Sequence, residues 1–548
     1  MNLSEELKKI VTGDVLTDEK TISEYSKDTS LFKVTPEVVV FPKNTDDIKK
    51  IVRFVNEHKK ESPTLSITGR SAGTDMTGGP LSESIILGFT KYFTKHEEHA
   101  DQLTATVEPG VYYRDFEKNT LAQHVFMPTY PASKGIAALG GMIMNNAGGE
   151  NSLQYGQTRD FVEELAMVLA DGEEHTFKKL TQDELLLKMR EENFEGDIYR
   201  KVYALLEKNY DAIKAAKPKV HKNSAGYALW DVWNKEKGTF DMNQLFVGSQ
   251  GTLGVLTKAK LRLVKDKPHK KLMVLFFKNW SELPAVVNAI LPYKPESLEA
   301  FDNETLKLGI RFMPEIAKKA GQSFLTFLLR FLPEALMGAR LMGLPKLIVL
   351  VYVVEETEKE VEEKMQKIVQ ALKPFHILER ILKNAEEAEK YWIMRRESFN
   401  LLRQHVHGKR TAPFVEDFCV DPNKIPEFLP EMLAILKEHN IRVNIAGHAG
   451  DGNFHIIPLM NLKDPKEREK IAIVSEKVFD LIIRYGGTIT AEHNDGIIRT
   501  PYIQKMYGAQ IYGLFEEIKK IFDPQNIFNP GKKVGGTVEY MNAHISEE

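Results

Sequence analysis

Three clusters of small residues, each joined to a strand signal, set the strongest limit on how this chain can fold. The first is Gly69-Arg-Ser-Ala-Gly-Thr-Asp-Met-Thr-Gly-Gly79, which follows the apolar run Leu65 to Thr68. The second, Leu139-Gly-Gly-Met-Ile-Met-Asn-Asn-Ala-Gly-Gly149, comes after Met127-Pro-Thr-Tyr-Pro-Ala-Ser-Lys-Gly135 and before Tyr155-Gly-Gln-Thr-Arg-Asp160. The third, Leu245-Phe-Val-Gly-Ser-Gln-Gly-Thr-Leu-Gly-Val255, leads into the strand signal Ala259–Val264. Glycine admits φ values that other residues avoid, so such loops bring backbone N–H groups close to a phosphate. None has the spacing of a Rossmann or P-loop fingerprint. Three such loops at strand ends suit one long polyanionic cofactor lying across a sheet.

Strand and helix signals alternate ahead of the first cluster. Pro36-Glu-Val-Val-Val-Phe41 reads as a buried strand, and Thr45 can cap a helix carrying Ile48, Ile51, Val52 and Val55 at helical spacing. Strand signals return at Ser84–Gly88, Thr104–Val107 and Glu164–Ala170. A length of 548 residues is too great for one core and predicts about three structural units. With a net charge of −3 the chain offers no overall basic surface for nucleic acid. Its single cysteine, Cys419, excludes an internal disulfide and an iron–sulfur cluster carried by these residues. The opening Met1-Asn-Leu-Ser-Glu-Glu-Leu-Lys-Lys-Ile reads as an amphipathic helix without an apolar signal core, which predicts a cytoplasmic protein.

A second kind of motif lies at Asn444-Ile-Ala-Gly-His-Ala-Gly-Asp-Gly-Asn-Phe-His455. Asp-Gly between apolar residues predicts a hairpin with a two-residue type I′ turn at Asp451-Gly452. In that register His448 directly opposes His455, with Cβ atoms roughly 4.5–5.5 Å apart on one face. Two imidazoles so placed can hold one divalent ion. Thr488-Ile-Thr-Ala-Glu-His493 then predicts an apolar strand ending in a Glu-His pair, which supplies a carboxylate to complete an open three-ligand set. Adjacent strand residues face opposite ways, so Glu492 and His493 can share a site only if the chain bends, and Asn494-Asp495-Gly496 suits a bend. His405 and His407 are read as solvated.

Together these clusters, the hairpin, the Glu492-His493 pair and Asn529-Pro-Gly-Lys532 resemble the FAD-linked oxidoreductases of the vanillyl-alcohol oxidase fold group. The nearest branch is that of D-lactate, D-2-hydroxyglutarate and glycolate dehydrogenases. The resemblance implies an α+β fold: a bipartite FAD-binding domain of two α+β subdomains, with a ferredoxin-like antiparallel-sheet cap. It implies an N-terminal FAD part over 1–265, a cap over 266–505 and a C-terminal return over 506–548. By position, Arg70, Ser71, Ala72, Gly73, Thr74, Asp75, Gly78 and Gly79 match the pyrophosphate loop. Pro131, Ser133, Gly140, Gly141, Asn145, Gly148, Gly149 and Tyr155 match the second cofactor segment. Gly248, Gly251, Thr252, Gly254 and Val255 match the third, and Asn529 the C-terminal motif. Thr74 stands where relatives with covalent flavin carry histidine, so the FAD is expected to be non-covalent. Ser71 and Gln250 depart from the usual glycine and glutamate.

The resemblance also assigns roles. His448, His455 and Glu492 bind zinc or a similar divalent metal, His493 is the base, and Arg395 grips the substrate carboxylate, with neighbouring Arg396 as its competitor. A planar guanidinium suits that grip because it forms two parallel charge-assisted hydrogen bonds. The implied activity is oxidation of a D-2-hydroxy acid, D-lactate-like, with hydride passing to the flavin. A lysine that some 2-hydroxyglutarate-type relatives carry near Val415 is missing here. No NAD fingerprint is present, so the electrons are expected to reach a separate acceptor: a quinone, a flavoprotein or an iron–sulfur subunit. Two other classes stay open on the residues alone, a metal-dependent hydrolase and a non-catalytic FAD-containing subunit of a redox complex. Within the cap, Lys271–Phe277, Ser297–Asp302 and Lys346–Val354 read as strands, and Ser281–Ile290 and Glu355–Leu372 as helices. An apolar insertion at about 312–345 is too interrupted to span a bilayer. It either packs on the cap or makes peripheral contact with the cytoplasmic membrane face.

Overall fold

The computed structural model describes residues 2–315, 343–384, 386–395 and 408–547. Most of the 312–345 insertion therefore lies outside the described residues, as do Arg396, His405 and His407. Among the described residues no helix is long and apolar enough to cross a membrane.

Two large sheets build the N-terminal half, beside a two-stranded ribbon of Val125–Phe126 and Val264–Lys265. In the first, Val38–Phe41, Ile85–Gly88 and Ile67–Arg70 run parallel, with Asp14–Leu16 added antiparallel at the edge. Val38–Phe41 and Ile85–Gly88, the two central strands, are apolar and buried throughout because both faces of the sheet are covered there, as parallel sheets require. The helix Thr45–His58 packs its Ile48, Ile51, Val52 and Val55 stripe into that core, and the Asn44 side chain caps its first turn through the Asp47 amide. The second sheet has seven strands, ordered Trp233–Asn234, Thr239–Asp241, Glu174–Thr181, Val162–Val168, Val255–Arg262, Thr104–Val107 and His96–His99, and it is antiparallel throughout.

The third large sheet, with eight strands among the described residues, forms the cap. Its central strands are His269–Phe277, Leu347–Glu355, Ser297–Asp302, Arg442–His448 and Asn453–Met460, again antiparallel. Helices Leu283–Ile290, Glu358–Leu372, Ile425–Glu438 and Pro465–Arg484 supply its remaining core. The Glu358–Leu372 helix starts at a capping box between Thr357 and Glu360. After the helix Ile503–Phe522 the chain returns to the first sheet, where the Ile67 amide donates to the Ile527 carbonyl at 2.7 Å and Asn529 donates to the Ile67 carbonyl at 2.9 Å. An α+β cofactor half under an antiparallel cap is the architecture expected from the sequence.

Two local expectations are corrected. The hairpin turn is not Asp451-Gly452 alone: His448 pairs with Asn453, and Ala446 with His455, leaving Ala449–Gly452 as a four-residue loop. The Asp451 amide donates to the His448 carbonyl at 3.0 Å and Gly452 to Ala449 at 3.3 Å, and of these two only Gly452 has positive φ, +70°. The reason is that Asp451 does not sit at an exposed turn tip. Its carboxylate is drawn inward to His221 Nδ1 at 2.5 Å and Lys222 Nζ at 3.2 Å. A shift of two residues keeps every side chain on its original face, so the two histidines become diagonal neighbours rather than opposed ones. The second correction concerns Thr488 to His493, which makes one bridge, Thr488 to Cys419, and is otherwise irregular.

Candidate active site

Asp417 explains how two adjacent residues can face one site. Its Oδ2 accepts from the Thr490 hydroxyl at 2.9 Å and from the amides of Ala491, Glu492 and His493 at 3.1, 3.0 and 2.7 Å. That carboxylate replaces a strand partner and curls the segment around itself, so side-chain alternation no longer applies. Asp417 itself is left-handed at φ +67°, a conformation the short Asp side chain tolerates better than most. Beyond it, Asn494 at φ +71° and Gly496 at φ +52° complete the bend, while Asp495 stays right-handed.

The bend brings Glu492 against the hairpin. Glu492 Oε1 lies 3.2 Å from His448 Nε2 and 3.2 Å from His455 Nε2. The three donor atoms fall within 4.8 Å of one another, a spacing that one ion could span. His448 Nδ1 is fixed by Glu299 Oε1 at 2.6 Å, which leaves Nε2 as the available lone pair when the ring is neutral. The other oxygen of Glu299 is ion-paired with Arg395, which is itself buried. Arg395 thus reaches the site by way of Glu299, next to His448.

His493 stacks on His455, with ring centres 5.1 Å apart and planes 14° from parallel. Its Nδ1 meets Glu416 Oε2 at 2.7 Å, and Glu416 Oε1 takes a bond from fully buried Arg499 at 2.7 Å. Burial acts to lower the His493 pKa, but Glu416 and Asp417 outweigh it and raise the value to about 10. Burial acts to raise Glu416, yet His493 and Arg499 hold it well below the ordinary carboxylate range. Glu492 is likewise held low, with Lys222 and His448 overcoming its burial. Glu416, Asp417, His455 and His493 also come close enough to hold an ion. Arg499 and the backbone amides already satisfy those two carboxylates, so the His448, His455 and Glu492 set is the better candidate.

The glycine clusters converge on the same place. The Asn145 side chain donates to the Glu492 carbonyl at 2.9 Å, and a Cβ on Gly148 would fall 2.9 Å from Glu492 Oε2. Asn494 donates to the carbonyls of Asn145 and Gly248 at 3.0 and 2.9 Å. Gln250 Oε1 accepts from the Gly496 amide at 2.8 Å, and Asn529 ties the Gly79 and Gln250 carbonyls together at 2.9 and 2.7 Å. Gly140 and Gly141 lie in the helix Leu139–Asn145; a side chain at Gly140 would strike Pro109. Pro131 and Ser133 begin the turn that precedes this helix, their carbonyls taking the Lys134 and Ile136 amides at 2.9 Å each. Tyr155 closes the short helix Ser152–Tyr155 and faces Glu296 of the cap. Gly251 and Gly254 have φ of +70° and +156°, and Val255 opens the strand Val255–Arg262.

A phosphate-bearing cofactor fits the first loop. Ser71 to Asp75 are half-buried, and among the described residues the amides of Ser71, Ala72, Gly73 and Thr74 donate to no backbone carbonyl. Gly73 is left-handed at φ +69°, and the Arg70 guanidinium folds over it so closely that a Cβ there would be 2.4 Å from a guanidinium nitrogen. Unpaired amides beside a cation form a nest for a pyrophosphate. Asp75 shapes the loop by accepting the Thr77 and Gly79 amides at 2.6 and 3.2 Å. Ser71 takes a negative φ, so the missing glycine carries no backbone strain.

Residues 36–178 match the FAD binding domain model, and residues 266–533 match the model of the C-terminal domain of FAD linked oxidases. Two matched halves of this kind define a flavin-binding oxidoreductase architecture. The chain belongs to the FAD-linked oxidoreductases, carrying both of their domains, and it has the fold of the vanillyl-alcohol oxidase group. It is 27% identical to the D-2-hydroxyglutarate dehydrogenase of Pseudomonas putida over 95% of its own length, but spans only 50% of that protein. It is 28% identical to the glycolate oxidase subunit GlcD of Bacillus subtilis, covering 93% of this chain and 91% of that one. The Archaeoglobus fulgidus D-lactate dehydrogenase is 27% identical, with 91% of each chain covered. The fold is shared with 4-ethylphenol oxidase from Gulosibacter chungangensis, at TM-score 0.69, 17% identity and 98% of each chain. It is also shared with p-cresol methylhydroxylase, at TM-score 0.66 and 15% identity, over 98% of this chain and 96% of that one.

Sequence reasoning did not single out Lys222, Glu299, Glu416, Asp417 or Arg499. A signal existed for three of them. Glu299 in Ser-Leu-Glu-Ala-Phe and Glu416-Asp417 in Phe-Val-Glu-Asp-Phe are acids inside apolar runs, and such acids are buried only with partners. Lys222 and Arg499 carry no comparable local mark.

Proposed function

We propose that this protein is an FAD-dependent dehydrogenase that oxidises a D-2-hydroxy acid of the D-lactate kind to the 2-oxo acid. The observation that carries the reading is the contact of Glu492, the neighbour of His493 in the chain, with Asn145 and Gly148 of the second glycine cluster, which supports a ligand-bearing centre beside the flavin loops. FAD supplies the hydride acceptor, and a divalent ion such as zinc supplies Lewis acidity toward the substrate hydroxyl. Arg70 and the Ser71–Thr74 amides would hold the pyrophosphate. His448, His455 and Glu492 would hold the ion.

The chain's own groups divide the remaining work. His493 takes the hydroxyl proton at Nε2, since Glu416 occupies Nδ1. In the arrangement described, Glu416 and Asp417 keep that ring protonated up to about 10, so a base role needs positive charge beside it. The neighbouring three-ligand set is where that charge would reside. Arg395 binds the substrate carboxylate by exchanging it for Glu299. Electrons leave to a separate acceptor. The test is an anaerobic titration of the purified chain with D- and L-lactate, glycolate and D-2-hydroxyglutarate. The D-monocarboxylate should reduce the bound flavin fastest, and preference for the L enantiomer or no reduction by any of the four contradicts the reading.

A further inference from the structure

Lys222 comes from the segment between the helices Tyr210–Ala215 and Leu229–Val232, and its side chain is fully buried. Its Nζ sits among four oxygens from three parts of the chain. They are Glu492 Oε2 at 3.1 Å, Asp451 Oδ2 at 3.2 Å, Asn453 Oδ1 at 3.3 Å and the Gly149 carbonyl at 3.3 Å. Burying a lysine is costly unless it is paired and hydrogen-bonded, and here both conditions are met.

The two oxygens of Glu492 are treated differently. Oε1 faces His448 Nε2 and His455 Nε2, each at 3.2 Å. Oε2 is turned away onto Lys222 and lies against Gly148, where an added Cβ would approach it to 2.9 Å. We propose that Lys222 is a positioning residue that keeps Glu492 a one-oxygen ligand and thereby holds a coordination position open for substrate. A carboxylate can bind an ion through one oxygen or both, and a catalytic site must keep a position free. An ammonium fixed by Asp451, Asn453 and Gly149 withdraws Oε2 from that competition. The four-residue hairpin loop has the same origin, since it lets Asp451 turn inward to anchor the lysine.

This inference rests on the metal reading given above, and the experiment separates the two. The holoenzyme is loaded with Co2+, and its visible d–d absorption and the cobalt X-ray absorption edge are recorded for the parent, for Lys222→Met and for Lys222→Met/Asp451→Asn. The double variant removes the buried carboxylate that the single variant would leave with His221 as its remaining charged partner, and it carries the test should the single variant not fold. Cobalt should bind all folded forms equally. Both variants should show a weaker d–d band and one more oxygen ligand, with a higher substrate KM. Flavin reduction should slow by about 10- to 100-fold, the usual effect of losing a partner that orients a ligand. Unchanged spectra and ligand number in folded variants overturn the proposal, as does failure of the variants alone to take up cobalt. A parent that takes up no cobalt overturns the metal reading itself.

Discussion

Replacing Glu416 by Gln perturbs both the base and the core beneath it. Glu416 lies 2.7 Å from His493 Nδ1 and 2.7 Å from the Arg499 guanidinium, and both it and Arg499 are buried. A unit charge pair about 4 Å apart at an effective dielectric of about 20 is worth about 4 kcal/mol. At 1.36 kcal/mol per pKa unit that is about 3 units, so the His493 value of about 10 should fall to roughly 7. Stability should drop as well, because removing one partner of a buried pair strands the other, at about 3–5 kcal/mol. The sign follows from the raised His493 value. A histidine raised on folding stabilises most below its unfolded value of about 6.5 and loses that contribution as pH climbs toward about 10. The destabilisation of Glu416→Gln should therefore shrink across that window, leaving the Arg499 part. Histidine NMR on metal-depleted protein, with urea unfolding at several pH values, makes both measurements. A His493 titration that stays near its parent value, or a variant as stable as the parent, refutes the electrostatic account.

Three further outcomes are expected. His448→Ala and His455→Ala should each lower metal content and activity together, whereas His493→Ala should keep metal and FAD but reduce flavin about 10²–10⁴-fold more slowly, as metal analysis and stopped-flow absorbance would show. Arg395→Lys should raise KM more than it lowers the limiting rate of reduction, because a point charge cannot reproduce a bidentate grip, and steady-state kinetics will read that split. Away from the site, His175 bridges Asp171 at 2.9 Å and Glu195 at 3.2 Å; burial opposes its protonation, but the two acids raise its pKa to about 9. Glu195→Gln should therefore lower the melting temperature below pH ~6.5, with the effect fading as pH rises toward about 9.

The sequence was most readable where function and backbone geometry make the same local demand. Gly73 and Gly254 must adopt positive φ, so the flavin loops show as glycine clusters. The cap strands show as apolar runs because both their faces are covered. His448 and His455 were legible for a weaker reason: the predicted register was wrong by two residues, and period-two alternation kept both rings on the correct face. What stayed hidden is whatever acts across long sequence separations. Asp417 bends a segment more than 70 positions away, and Lys222 meets Glu492 at a separation of 270, with no periodicity to mark either contact. The apolar run around Asp417 marks it as buried but not its partner, and Lys222 carries no local mark at all. Only the packed chain shows that one replaces a β-partner and the other confines a carboxylate oxygen.

The most direct measurement of the central claim, that one site joins the flavin to a three-ligand ion centre, is anaerobic flavin bleaching by a D-2-hydroxy acid before and after the ion is stripped. The metal-replete protein should bleach rapidly. The chelated protein should keep its FAD yet bleach at least about 10²-fold more slowly, and recover when zinc or another divalent ion is restored. Equal bleaching rates with and without the ion would contradict the claim.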